Sequence, residues 1–270
     1  MVGQGYAVVD AHCHVYPEKI AARAVEGTDT FYGLHSACRG TVRDLMEEGL
    51  AHGVDHFVIQ SVATTPKQVT GINEFIAEEV ARGEGRLTGL GTLHPESEDL
   101  TGDVRRIVRL GLHGVKLHPD IQRFKIDDFR FLRIYELCEE EGLPILMHTG
   151  DHRYDFSNPN RMLPILEIFE GLTVVGAHLG GWSVWEDAER MLAGAPNFYV
   201  DSSSCFGFLP PERVRELILR FGTDRVLFGT DYPMWHPRQE LASLLSLGFS
   251  EEETRRILSE NAKKVFSIAE

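Results

Sequence analysis

Eight short apolar segments recur along the chain, and most of them are separated by segments with a helical pattern. Several are rich in β-branched or aromatic residues, and most end at Gly, Pro or Asp, as β-strands do. They are segments 6–14, 54–62, 87–95, 114–119, 143–150, 172–181, 197–204 and 225–233. Strands that alternate with helices predict a parallel sheet. Eight such repeats in 270 residues favour the α/β fold of a TIM (β/α)8 barrel.

The segments between these strands show helical periodicity. Apolar residues recur there at helical spacing, often with Gly near the carboxyl end. The clearest patterns cover residues 41–52, 126–142, 182–194, 209–221 and 250–268. No GxGxxG turn follows the first strand, which argues against a dinucleotide-binding open sheet. We therefore predict a single domain over residues 1–270, with residues 15–40 inserted as a loop over the active site.

The charge balance disfavours some classes of partner. With 27 Lys and Arg against 41 Asp and Glu, the net charge is −14, so the surface repels nucleic-acid phosphates. No apolar run approaches the roughly 18 residues of a membrane helix, and the amino terminus lacks signal-peptide features. The four cysteines have no metal-finger or redox spacing. We expect a cytoplasmic protein with a small-molecule substrate and no membrane partner, and a homo-oligomer stays open.

Ionisable side chains gather at the carboxyl ends of the predicted strands. In a TIM barrel these ends form the active-site face, so residues distant in sequence meet there. Barrel layers prefer Val, Ile and Leu, so polar residues have no structural reason to lie at these positions. The residues are Asp10, His12, His14, Lys116, His118, His148, His178 and Asp231.

The pair His12 and His14 has a direct structural meaning. Residues i and i+2 of a strand point to the same side, so both imidazoles should face the barrel axis while Cys13 faces the helices. Two neutral imidazoles on one face begin a site for a first-row divalent metal. Asp10 lies two residues before His12, and it either holds an imidazole through its far nitrogen or is a solvated strand residue.

Five motifs occur in order along the predicted strands. They are Asp10-Ala-His12-x-His14, Gly114-Val-Lys116-Leu-His118-Pro, Met147-His148-Thr-Gly, Gly176-Ala-His178-Leu-Gly-Gly and Gly229-Thr-Asp231-Tyr-Pro. Together they resemble the amidohydrolase superfamily, and within it the amidohydrolase-2 branch that includes the aminocarboxymuconate-semialdehyde decarboxylase type. The resemblance extends from residue 10 to about residue 235. It implies a metal-dependent TIM-barrel enzyme.

The resemblance also implies roles for particular residues. The catalytic-metal ligands that it implies are His12, His14, His148 and Asp231. His178 would either bind a second metal or polarise the substrate or water. We also expect Asp231 to act as catalytic base and then as acid, because an adjacent cation keeps a carboxylate ionised at neutral pH.

Lys116 and His118 leave the number of metals open. In two-metal relatives a lysine on the fourth strand is carboxylated and bridges the metals, and one-metal relatives lack that role. The Lys-Leu-His spacing places Lys116 and His118 on one side, so both could face the pocket, where they would bridge metals or contact substrate. From the resemblance to the branch, one metal per chain is favoured over two. The nitrogen-rich ligand set favours zinc.

Two weaker candidates have alternative interpretations. Asp201 ends the seventh predicted strand and either contacts the substrate or caps a turn. Arg153 and Arg161 follow the fifth strand and either recognise a substrate carboxylate or are solvated charges.

Four functions fit these features, in decreasing order. The first is a metal-dependent hydrolase that activates water against an amide, ester or lactone bond of a small molecule. The second is a non-oxidative decarboxylase or hydratase on the same barrel. A metal-dependent phosphodiesterase or nuclease is third, because the acidic charge disfavours it. A non-enzymatic metal-binding protein is fourth.

Overall fold

Parallel strands form the centre of the molecule. The computed structural model describes residues 5–269, and its strands pair in two groups, β1-β2-β3 and β4-β5-β6-β7-β8-β9. Every pair of neighbours is parallel. The strands are β1 (Val9–His14), β2 (His56–Gln60), β3 (Leu87–Gly89), β4 (Gly91–Thr92), β5 (Val115–Leu117), β6 (Ile145–Met147), β7 (Val174–Gly176), β8 (Phe198–Asp201) and β9 (Val226–Leu227).

Two junctions close these groups into a barrel. The third predicted strand contains both β3 and β4, and between them the Leu90 amide donates to the Ile59 carbonyl at 2.9 Å. At the other junction the Ala11 amide donates to the Phe228 carbonyl at 2.9 Å, which joins β9 to β1. Eight strand positions therefore surround one axis, and the predicted TIM barrel is confirmed.

Helices follow the strands around the outside. They are α1 (Glu18–Tyr32), α2 (Val42–Ala51), α3 (Val69–Arg82), α4 (Leu100–Arg109), α5 (Pro119–Gln122), α6 (Phe129–Glu140), α7 (Pro159–Ile168), α8 (Trp185–Leu192), α9 (Pro211–Phe221), α10 (Pro237–Ser246), α11 (Glu251–Arg255) and α12 (Asn261–Val265). A 3-10 turn (Pro66–Gln68) precedes α3, and a π-helical turn (Arg256–Glu260) joins α11 to α12. Among residues 5–269, none of these helices has the length and apolarity needed to cross a membrane.

The segment 15–40, which the sequence predicts as a loop over the active site, is helical over much of its length. It contains α1, a helix of 15 residues that ends at Gly33 with φ 67°. Ala21 is the one residue of α1 that is fully buried. The inner side of α1 borders a cavity and includes the small residues Ala24 and Gly27. Its sequence therefore lacks the stripe of large apolar residues by which a helix is recognised.

Two apolar layers hold the barrel together. Inside it, strand residues such as Leu146, Val175 and Leu227 pack on one another, and Phe266 closes this layer from the carboxyl-terminal segment. Outside it, alternate strand residues pack against the helices. The pairing of β1 shifts register between Asp10 and Cys13. Val9 and Ala11 belong to the inner layer, whereas Cys13 belongs to the outer layer.

Gly150 lies where the loops after β6 and β7 come close. Its φ is 83°, a left-handed backbone that disfavours other residues. A Cβ atom there would lie 2.5 Å from the Gly181 carbonyl carbon and 2.6 Å from the Trp182 nitrogen. These neighbours are backbone atoms, so a side chain at position 150 would force the two loops apart.

We predict that Gly150→Ala lowers the free energy of unfolding by about 3 kcal/mol, since it combines backbone strain with overpacking. Gly142→Ala is the matched control, because Gly142 has φ 66° but open space around its Cβ position. That control should lose about 1 kcal/mol. Urea unfolding of both variants measures the difference, and equal losses would show that the loops do not constrain position 150.

Candidate metal centre and active site

The predicted site residues converge at the carboxyl ends of the strands. His12 and His14 lie at the end of β1, and Lys116 lies within β5. His148, His178 and Asp231 follow β6, β7 and β9. The ring centroids of His12 and His14 are 5.1 Å apart, and those of His12 and His178 are 5.3 Å apart.

Three groups surround the Nε2 atom of His12. The Nε2 atom of His14 lies 3.1 Å from it, the Nζ atom of Lys116 lies 3.1 Å from it, and Oδ1 of Asp231 lies 3.3 Å from it. His12, His14 and Asp231 each offer a donor atom within 4.8 Å of the others. Their arrangement fits one small cation.

A buried carboxylate, Asp201, fixes the orientation of His12. Oδ2 of Asp201 accepts a hydrogen bond from Nδ1 of His12 at 2.9 Å. This bond places the imidazole proton on Nδ1, so Nε2 presents its lone pair to the site. Oδ1 of Asp201 accepts from the backbone amides of His178 at 3.1 Å and Ser203 at 3.0 Å.

This arrangement corrects the expectation for Asp10. Its carboxylate accepts from the Thr230 amide at 2.9 Å, the Thr230 hydroxyl at 2.6 Å and the His12 amide at 3.2 Å, and it touches no imidazole. The irregularity of β1 after Asp10 is the reason, because it interrupts the alternation on which the expectation depended. Asp201, and not Asp10, holds the imidazole of His12. Its position at the end of β8 was the sequence feature that could have indicated this role.

A second pair of imidazoles adjoins the first group. Nδ1 of His148 and Nε2 of His178 are 3.1 Å apart. The other nitrogen of His148 lies 3.2 Å from the Gly150 carbonyl, and the other nitrogen of His178 lies 3.2 Å from the Ser203 carbonyl. Both carbonyls require N–H donors, so the two facing nitrogens carry lone pairs. Such lone pairs repel unless positive charge lies near them.

Lys116 and His118 occupy different positions. Lys116 is fully buried beneath His12, and burial lowers the pKa of its ammonium group to about 8. His118 stacks on His148, with ring centroids 3.9 Å apart. Its Nε2 atom bonds the Tyr32 hydroxyl at 2.8 Å, and its Nδ1 atom accepts from the Ile121 amide at 3.3 Å. Both ring nitrogens of His118 therefore already have hydrogen-bond partners within the protein.

Asp120 is a buried group that the sequence reasoning missed. Its side chain is paired with no hydrogen-bond donor among the described residues. Oδ2 of Asp120 lies 3.7 Å from Nε2 of His148, and together with His118 these residues form a second candidate ligand group. Burial raises the pKa of Asp120 to about 6.

A further cluster of His and Glu residues does not belong to the cavity lining. Glu48, His52 and His236 join α2 to the start of α10. Both ring nitrogens of His236 already have partners, Oε2 of Glu48 at 3.1 Å and the Arg238 amide at 3.1 Å. This cluster therefore links two helices.

Three site residues have unusual backbone conformations. His178, Ser204 and Asp231 have φ values of 59°, 59° and 58°. Left-handed conformations are unfavourable for residues other than glycine, and they concentrate at functional sites. They turn the chain sharply at the strand ends and aim these side chains toward the barrel axis.

Asp231 is held by a short polar chain. The Ser204 hydroxyl donates to Oδ2 of Asp231 at 2.7 Å, and Nε1 of Trp235 donates to the Ser204 hydroxyl at 2.8 Å. Burial raises the pKa of Asp231 to about 7, and a bound cation would lower it. Oδ1 remains directed at His12 and His14.

Burial also keeps the imidazoles neutral. It lowers the pKa values of His12, His14 and His148 well below their ordinary range, and it lowers that of His178 to about 4. Neutral imidazole is the form that binds a metal. Because neutral nitrogens and one carboxylate face a common space, the residues present fit a divalent cation.

A cavity of about 610 Å³ opens above these groups. His14, His148, His178 and Asp231 contribute to one part of its lining, and α1 and α3 contribute much of the rest. Its volume is that of a typical small-molecule site. Within the described part of the chain, its lining includes no Lys or Arg.

Neither of the two candidate arginines lines this cavity. Arg153 pairs with the buried carboxylate of Asp151 at 2.7 Å, and its guanidinium lies 4.8 Å from the Phe31 ring centroid. Arg161 pairs with Asp127 and Asp155.

The profile of the Amidohydro_2 family, described as amidohydrolase, matches residues 9–268. The chain belongs to this amidohydrolase family. It is therefore an enzyme of the amidohydrolase superfamily, as the resemblance in the sequence predicted, and its family is metal-dependent.

Individual relatives of this amidohydrolase are distant. The chain is 27% identical to 2-amino-3-carboxymuconate-6-semialdehyde decarboxylase of Dictyostelium discoideum, over 73% of this chain and 66% of that protein's length. An uncharacterised TIM-barrel protein of Bordetella bronchiseptica has a TM-score of 0.81 at 22% identity, over 97% of this chain and 98% of the other.

A second similar structure contains a metal. Dihydroxybenzoic acid decarboxylase of Polaromonas sp. JS666, solved with manganese and the inhibitor 2-nitroresorcinol, has a TM-score of 0.73 at 16% identity, over 97% of each chain. At these identities the structural likeness establishes the fold.

We predict that Asp201→Asn weakens metal binding by about 10- to 100-fold. Oδ1 of Asp201 accepts two backbone N–H bonds, so the amide nitrogen of Asn must replace Oδ2. That nitrogen would donate to Nδ1 of His12 and shift the imidazole proton to Nε2. Zinc competition with a fluorescent chelator measures the change. Asp224→Asn, at an exposed turn, is the control, and equal affinities in both variants would contradict the assignment.

Proposed function

We propose that this amidohydrolase is a metal-dependent, non-oxidative decarboxylase of a small unsaturated or aromatic carboxylic acid. The observation that carries the proposal is the position of the cavity. It opens onto the histidines and Asp231, yet no Lys or Arg among the described residues lines it. A carboxylate that enters the cavity therefore finds positive charge only at the cation that these residues would hold.

The character of this cavity favours loss of CO₂. A carboxylate concentrates its charge on two oxygens, whereas the transition state of decarboxylation spreads that charge into the rest of the molecule. An apolar environment solvates concentrated charge poorly, so the reactant loses more stabilisation than the transition state does. Conjugation at the carbon that carries the carboxylate then accepts the electron pair.

The proposed metal ligands are His12, His14, His148 and Asp231. We propose one divalent ion per chain, and zinc is chosen because the donor set is rich in nitrogen. A bound ion of this kind would supply a Lewis acid that holds and orients the carboxylate. The ring of His178 lies 4.9 Å from that of His148 and completes the polar side of the cavity.

Asp231 supplies the proton in this proposal. The bond between the carboxylate carbon and its neighbour breaks, the electron pair stays on the neighbour, and CO₂ leaves. A proton from the Asp231 carboxyl then moves to that carbon, so no oxidant or reductant is needed. The Ser204 hydroxyl holds Oδ2 of Asp231 at 2.7 Å and thereby fixes the carboxyl group beside the cavity. Water restores the proton after the product leaves.

Two relatives support this choice over hydrolysis. The Dictyostelium relative and the manganese-bound Polaromonas structure are both named as decarboxylases. Hydrolysis of an amide, ester or lactone is the second candidate. It is favoured by the buried Lys116, whose Nζ atom lies 3.1 Å from Nε2 of His12, because a carboxylated lysine there would complete a two-metal site for water activation.

We predict that the zinc- or manganese-loaded protein releases CO₂ from a member of a panel of 2-hydroxyaryl and unsaturated carboxylic acids. In D₂O each turnover should place one deuterium on the carbon that carried the carboxylate. Mass spectrometry and a coupled CO₂ assay measure both products. A panel of lactones, esters and amides is tested in ¹⁸O-labelled water beside it. Incorporation of ¹⁸O without CO₂ would overturn the proposal in favour of hydrolysis.

Asp231→Asn is the informative variant in this assay. It keeps the shape of the side chain and one oxygen but cannot hold a transferable proton, so turnover should fall by about 10² to 10⁴. Asp187→Asn on the surface helix α8 is the matched control and should retain full turnover. Nearly full turnover in Asp231→Asn at equal metal content would remove Asp231 from the proton transfer.

A further inference from the structure

Helix α1 presents a regular stripe to the cavity. Ile20, Ala24, Gly27 and Phe31 are three or four residues apart, so they share one side of the helix, and all of them line the cavity. Two of the four are small, which leaves space beside the helix. Because this stripe faces the cavity and not packed side chains, Ala21 is the one fully buried residue of α1.

Helix α3 presents a second stripe to the same cavity. Gly71, Ile72 and Phe75 recur at helical spacing and line it as well. A Cβ atom at Gly71 or at Gly27 would meet no heavy atom within 4 Å. Each stripe therefore has open space at its glycine. The cavity of about 610 Å³ that the two helices border is larger than a small polar substrate requires.

The cavity is electrostatically one-sided. Within the described part of the chain, Asp231 is the one carboxylate in its lining, and it lies with the histidines. The guanidinium of Arg153 packs over Phe31 and Tyr32, which line the cavity, but it is paired with Asp151. A second carboxylate on a substrate would therefore meet apolar side chains and neutral groups such as those of Thr28, Thr64 and Gln68, but no positive charge, which is costly.

We propose that the substrate carries a single carboxylate at the metal end and an extended apolar group, alkyl or arylalkyl, between α1 and α3. This inference rests on the proposed function for the carboxylate end and on the two stripes for the rest. It excludes dicarboxylic acids as substrates, because the cavity offers no positive group among the described residues for a second carboxylate.

The test measures ligand binding to the zinc-loaded protein, so that it does not depend on catalysis. Isothermal titration calorimetry measures the binding of butanoic, octanoic and decanoic acids, with octanedioic acid as the matched ligand of equal length and a second charge. Affinity should rise by roughly two- to fourfold for each added methylene. Octanedioic acid should bind at least about tenfold more weakly than octanoic acid.

Gly27 provides the matched variants. Gly27→Leu places an apolar side chain in the open space and should abolish the gain from butanoic to decanoic acid. Gly27→Ala makes a similar change of helix propensity without filling the cavity, and it should keep most of the gain. Thermal unfolding of both variants confirms that each is folded.

Three results would overturn the inference: equal affinity for butanoic and decanoic acids, equal affinity for octanoic and octanedioic acids, or an unchanged gain in Gly27→Leu. Failure of the proposed function gives a different pattern. In that case no CO₂ is released and loaded metal adds nothing to the binding of octanoic acid, while the dependence on tail length persists.

Discussion

The buried carboxylate of Asp201 connects three strands at the point where the chemistry gathers. It accepts from the His12 ring at the end of β1 and from the backbone of His178 after β7, while it belongs to β8 itself. A buried charge of this kind is tolerated only when hydrogen bonds satisfy it. The same bonds set the tautomer of His12 and place His178, so the geometry of the candidate metal centre follows from one carboxylate.

Burial gives this centre its second property. Because the histidines are shielded from water, their pKa values fall and they stay neutral, which suits them to bind a cation. The cavity above them is bounded by the apolar stripes of α1 and α3 and offers a carboxylate no other positive group among the described residues. The proposed metal affinity and the proposed selectivity for a carboxylate with an apolar remainder thus both follow from the same exclusion of water.

Much of this was accessible from the sequence, because it depends on local periodicity. Strand alternation brought His12 and His14 together, and the order of the strands brought His148, His178 and Asp231 to one end of the barrel. Features that depend on tertiary packing were not accessible. The irregularity in β1 reversed the side on which Asp10 was expected, the partner of His12 lies 189 residues away, and α1 faces a cavity whose existence no local pattern records.

The central claim is that the imidazoles at the end of β1 hold a catalytic cation. Elemental analysis of purified protein tests it directly, with wild type compared with His12→Ala combined with His14→Ala. A double variant of the exposed residues His35 and His152 to alanine serves as the control. The account predicts near-stoichiometric divalent metal in the wild type and the control, and a loss of most of it in the His12 and His14 variant. Equal metal content in all three proteins would contradict it.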